Sequence, residues 1–145
     1  MTVFVNSVSH SLYTTISSNA TLVSSDVFVT LNEPFNTDPN KTPWVGVYFG
    51  DITLEPFRIS QCDPWQAFYT MRVFVQGTSI DDGQSAHDEL DRTLTEVITA
   101  INSNRTLDGT VRIVNGITVE PFQRDIDEEQ WMFTNELIVQ AEVEA

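Results

Sequence analysis

The stretch from Ser79 to Val114 constrains the fold more than any other. Leu90, Leu94, Val97 and Ile101 recur at steps of four, three and four, the apolar stripe of an amphipathic helix. Asp88, Glu89, Asp91, Arg92, Thr95, Glu96 and Thr99 fill the other faces, so the stripe must be buried against another layer. Asp81-Asp82-Gly83 with Ser85 supplies acceptors for the free N–H groups of a helix start, and Asn102-Ser103-Asn104 supplies its stop. A tight turn, Thr106-Leu107-Asp108-Gly109, then leads into the alternating Val111-Arg112-Ile113. Tyr69 to Gln76 alternates as a strand before the helix. The local order strand, helix, strand predicts a helix lying across a sheet.

The flanking segments extend that sheet. Phe4, Val5, Val8, Leu12, Tyr13 and Ile16 have helical spacing, despite the Ser, Thr and Asn between them. Val27, Val29 and Leu31 form a first strand, ended by Asn32-Glu33-Pro34, and Phe35 to Thr42 is rich in turn formers. In Trp44-Val45-Gly46-Val47-Tyr48-Phe49 both faces carry apolar groups, which fits either a strand covered on both sides or an oligomer contact on one. Between Gly50 and Pro64 the pattern loosens, and Pro56 and Pro64 predict a long loop or irregular hairpin. Asn115-Gly116 is a strong hairpin signal, with Ile117 and Val119 on the returning strand. Pro121 to Glu129 is acidic and turn-like. Trp131, Phe133, Leu137, Val139, Ala141 and Val143 alternate along a closing strand, with Asn135 its one polar break. The expected class is α+β: one domain over residues 1–145, with a mixed, mostly antiparallel sheet of about five strands and two helices packed against it.

At 145 residues the chain can bury a sizeable core without a disulfide or metal. Seven Lys and Arg against 21 Asp and Glu leave a net charge of −14, the wrong sign for attracting nucleic-acid phosphates. Cys62 is the one cysteine, beside Asp63 and without a basic neighbour, and is expected to be an inert packing residue. No signal-peptide pattern or membrane-length apolar run occurs, which predicts a soluble protein made inside the cell.

Motifs for chemistry are sparse. The six glycines match no phosphate-binding loop, and Gly-x-Ser-x-Gly is missing. His87 and Asp91, four apart, suggest no third metal ligand, and His10 sits among serines. Asp81-Asp82 and Asp125, Asp127, Glu128 and Glu129 lack calcium-loop spacing and read as solvated acidic loops. The sequence therefore predicts no catalytic residues, cofactor or metal. The aromatics Trp44, Trp65, Phe68 and Trp131 are candidates for protein contacts, with core packing the alternative for Trp44 and Trp131. Leu54, Phe57 and Ile59 join Trp44 and Trp65 as candidate interface residues, because apolar groups on an exposed loop call for a partner.

Several passages resemble one family. An amphipathic N-terminal helix, Pro43-Trp44-Val45-Gly46-Val47 opening a strand, a long helix running into Leu107-Asp108-Gly109-Thr110-Val111, and a final strand from Trp131 to Val143 are similar to the tail terminator, or tail completion, proteins of long-tailed bacteriophages. The resemblance spans about Val5 to Val143. It implies an α/β subunit of a homo-oligomeric ring, typically a hexamer, in the neck of the virion. Such a ring caps the tail tube, ends its polymerisation and joins it to the head–tail connector, with DNA passing through unbound. It implies no catalytic residues. A tail-tube or connector subunit, or a small α+β enzyme or ligand-binding protein, are the alternatives.

Overall fold

A computed structural model describes residues 5–32, 42–56, 65–120, 123–126 and 131–144. The chain begins with α1 (Val5–Ser17) and α2 (Ala20–Ser24), followed by β1 (Phe28–Leu31), β2 (Trp44–Pro56) and β3 (Trp65–Ser79). Next come α3 (Gly83–Ser103), β4 (Ile113–Val119), β5 (Gln123–Ile126) and β6 (Trp131–Glu144). Six strands fill five positions in the order β1-β2-β3-β6-β4, because β5 pairs with the first residues of β6 while β4 pairs with its later ones. Only β1 and β2 run parallel; the other pairs are antiparallel. The fold is the α+β domain with a mixed sheet that the sequence predicts.

One face of the sheet is covered by helices. Strand alternation sends Val45 and Val47, then Met71, Val73 and Val75, then Leu137, Val139 and Ala141 to that face, and all are buried. α1 lays Val8, Leu12 and Ile16 over β1 and β2, and α3 lays Leu90, Val97 and Ile101 over β3 and β6. Of the predicted stripe, Leu94 is half-buried at its margin, and Ala86, Thr93 and Ala100 complete the buried set. Ala86 and Leu90 come so close to β3 that a Cβ at Gly77 would stand 2.5 Å from the Leu90 nitrogen and 2.7 Å from the Ala86 oxygen. Only glycine admits that approach. Asn135, the polar break on β6, is buried and donates from Nδ2 to the Glu120 carbonyl at 2.9 Å.

Both ends of α3 follow their predicted chemistry. The Asp82 carboxylate accepts from the Ser85 N–H at 2.6 Å as the N-cap. Asn104 is the C-cap, and Leu107, Asp108 and Gly109 follow with φ of 47°, 59° and 82°. Gly109 adopts this conformation freely, whereas Leu107 and Asp108 do so at a cost that full burial of Leu107 helps to offset. Side-chain bonds also hold the turn: Asn104 Nδ2 donates to Thr15 Oγ1 at 3.0 Å, and Ser11 and Thr110 hydroxyls pair at 2.7 Å. The Leu107 to Val111 passage thus docks the end of α3 on α1.

The structure departs from expectation, or decides between two, at four places. Asn115-Gly116 is no hairpin turn: it lies inside β4, where the register shifts between Val114 and Gly116, a bulge that suits the same permissive residue pair. Of the loop and the irregular hairpin expected from Gly50, the structure has the hairpin, β2 and β3 pairing through Pro56 and Trp65. A shift between Phe49 and Asp51 resets that ladder, and Pro56 is tolerated because it ends the strand. Residues 57–64, with Phe57, Ile59 and Cys62, lie outside the described residues. Within the expected acidic turn, Gln123 to Ile126 is strand β5, with Asp125 opposite Met132; Asp127, Glu128 and Glu129 lie outside the described residues. Finally, α2 was not legible in advance; the Asn19 side chain starts it by accepting from Thr21 and Leu22 N–H groups.

Candidate functional site

No helix crosses the second face of the sheet among the described residues, since α1, α2 and α3 all pack on the first face or on one another. The register builds this open face in rows. Phe28, Trp44, Gln76 and Thr134 lie side by side; the next row holds Thr30, Gly46, Phe74 and Glu136, and the next Tyr48, Arg72, Ile138 and Thr118. Phe28 and Tyr48 are exposed at 41% and 39%, and Phe74 and Ile138 are half-buried. Arg72 bridges diagonally to Glu136 at 2.8 Å, and Arg112 bridges to Glu142 at the same distance. The face mixes aromatic and aliphatic groups with an ion pair that crosses its two central strands.

Trp44 is corrected by the structure as an interface residue. Its side chain is 2% exposed, and Nε1 donates to Thr30 Oγ1 at 2.9 Å, as a buried indole requires. Trp131 is half-buried, its ring carbons 3.4 Å from where a Gly83 side chain would begin. Leu54 lies in β2, and Trp65 begins β3 opposite Pro56. Phe28, Tyr48, Phe74 and Ile138 were missed as site residues. For Tyr48, the two-sided apolar pattern of residues 44–49 was the available signal.

The acidic candidates do not converge. Asp82 is spent on the helix cap, where the backbone N–H of Ser85, then its hydroxyl, hold the carboxyl below the usual value of 3.8. Asp81 is exposed, its own N–H donating to Ser79 Oγ. His87 faces Asp91 at 3.3 Å and meets the Phe133 ring edge-on at 5.8 Å. Among the described residues no three His, Cys, Asp or Glu side chains come close enough to hold a metal. No helix of the described residues is long and apolar enough to cross a membrane.

Two hollows flank β4. One, of about 290 Å³, is lined by Thr53, Phe68, Thr70, Asn115 and Gln140, uncharged groups at the level of the two register shifts. The other, of about 230 Å³, runs between β4 and the end of α3, with Ile98, Asn102, Arg105, Ile117 and Val119 along it.

No family model matches the chain, and no curated protein matches it. Among solved structures, the chain is similar to one in a structure described as "Virion of native gene transfer agent (GTA) particle". The superposition has a TM-score of 0.48 at 14% identity and covers 99% of this chain and 100% of that one.

Proposed function

We propose that this chain is a virion structural protein of the phage-tail type: a tail terminator whose homo-oligomeric ring, of hexameric size, caps the tail tube in the neck. The observation that carries the reading is the half-covered sheet, with aromatic and aliphatic side chains on a face that its own helices leave open. The passages that resemble tail terminators add support, because Trp44 to Val47, the Leu107 turn and the last strand are principal elements of the fold. In this reading the open face and the β2–β3 hairpin, with Leu54, Phe57, Ile59 and Trp65, meet neighbouring subunits, the tail-tube protein or the head–tail connector. A net charge of −14, including Asp81, Asp125, Asp127, Glu128 and Glu129, keeps DNA moving through the lumen without sticking. No catalytic step, cofactor or membrane partner belongs to the role, which is performed in the virion after synthesis in the host cytoplasm.

Negative-stain imaging and sedimentation of the purified protein, alone and with tail tubes, test the proposal. Closed rings seated on tube ends are expected. Open stacks would assign a tube subunit instead, and a monomer indifferent to tubes would refute any ring. Low-salt gel shift should show no duplex DNA complex.

A further inference from the structure

We infer that adjacent subunits join by strand addition, the outer edge of β2 beyond Val47 in one copy pairing along the free edge of β4 in the next. The inference rests on the ring reading and names its subunit contact.

The acceptor edge follows from the ladder. Glu120 donates its N–H to the Glu136 carbonyl at 2.8 Å, so Thr118 and Gly116, in phase with it, exchange bonds with β6. Ile117 and Val119 therefore turn their N–H and C=O groups away from the sheet, where no strand lies among the described residues. Natural edges of this kind are guarded by charges, proline or short length. β4, Ile113 to Val119, has neither a charged side chain nor a proline; Arg105 closes its start, its carbonyl accepting from the Val114 N–H at 2.7 Å, and the edge is open at Ile117 and Val119, the latter 46% exposed. The groove beside it continues the apolar surface through Ile98 and Ile117. Arg105 stands at its end, donating to the Val114 carbonyl at 3.1 Å and meeting no carboxylate among the described residues. Arg72 and Arg112 are, by contrast, paired with glutamates. The groove thus accepts an extended, acidic segment with apolar residues between its acids.

The chain itself carries one on an unpaired edge. β1 lies beside β2 only from Trp44 to Val47, and farther along no strand lies on that side among the described residues. That edge reads Asp51-Ile52-Thr53-Leu54-Glu55, acids four apart with Ile52 and Leu54 between, and Asp51 is exposed. Donor and acceptor are different edges, so the contact runs head to tail and can close into a ring. Charge favours the pairing: two copies of a −14 chain repel, and Arg105 at the groove, like Arg92 on α3, meets no carboxylate among the described residues, so it can receive the acids of the other copy.

The test compares the full-length protein with Val119→Pro, Arg105→Glu, Asp51→Arg and the double variant Arg105→Glu/Asp51→Arg by sedimentation velocity over a concentration series. Thermal melts check each fold. Val119→Pro removes only an outward N–H, so it leaves the β6 ladder intact. It and each single reversal should raise the half-assembly concentration about tenfold or more, while the double variant recovers most of the loss. Single reversals that assemble like the parent would overturn the strand contact and leave the ring reading standing. A double variant as weak as the singles would overturn the pairing of these two edges. A parent that stays monomeric at every concentration, and on tail tubes, would overturn both readings.

Discussion

The two faces of one sheet share the same strands and differ in almost everything else. On the helix side, Val45, Val73 and Leu137 are fully buried under α1 and α3; on the other, their neighbours Tyr48, Arg72 and Ile138 keep some contact with solvent. One face stores the stability of the domain, because apolar area is removed from water there whether or not a partner is present. The second face keeps Phe28 and Tyr48 exposed and Phe74 and Ile138 half-buried, with no helix over them among the described residues. Substitutions on the first should therefore unfold the chain, and those on the second should spare the fold and impair assembly.

The largest effect is expected at Leu90, fully enclosed between α3 and the sheet. Leu90→Asp would place a carboxylate where no water or cation reaches, costing about 4 kcal/mol or more and leaving little folded protein by circular dichroism. Leu94→Asp, on the half-buried margin of the same helix, sharpens the comparison: it should lower the melting temperature measurably but less. If the two variants melt alike, the orientation assigned to α3 is wrong.

Gly77→Ala tests how closely α3 lies on β3. A methyl group 2.5 Å from the Leu90 nitrogen cannot be relieved by a side-chain rotation, so helix or strand must shift, at roughly 1–3 kcal/mol in chemical denaturation. A stability equal to the parent's would mean a looser helix–sheet contact.

Open-face substitutions should behave differently. Tyr48→Ser and Arg72→Ala are each expected to change unfolding free energy by only about 1 kcal/mol or less, since Tyr48 is exposed and the Arg72–Glu136 bridge is solvent-screened. The larger response of Tyr48→Ser should be in sedimentation, as weaker assembly. Unchanged assembly with Tyr48→Ser would remove this part of the face from the contact.

The smallest effect belongs to the Asp82 cap, and its signature is pH. Hydrogen bonds from Ser85 depress the carboxyl below its ordinary 3.8, so the stabilisation is present above that value and is lost as pH falls through it toward the folded-state value. Asp82→Ala should therefore lower the melting temperature at pH 7 and matter progressively less as pH falls below 3.8. Asp82→Asn, which still accepts from Ser85, should be nearly silent at pH 7.

Much of this was legible from local pattern. Periodicity located α1, α3 and the long strands, and cap chemistry located both ends of α3, because these signals are carried by residues within a turn or two of one another. The site was less legible. Trp44 has the composition of a contact residue, but in the fold its indole bonds Thr30 of the neighbouring strand and is 2% exposed. Asn115-Gly116 satisfies the local rules for a hairpin and for a bulge equally well, and the register against β6 selected the bulge. Pairing of β2 with β3 through Pro56 and the strand at Asp125 likewise depend on distant backbone partners. The sequence by itself determined which residues need burial and where helices start and stop, since apolar spacing and capping are local properties. Tertiary structure alone decided which sheet face the helices cover and which apolar groups stay exposed, because those outcomes follow from strand order and register, set by contacts between residues far apart in the chain.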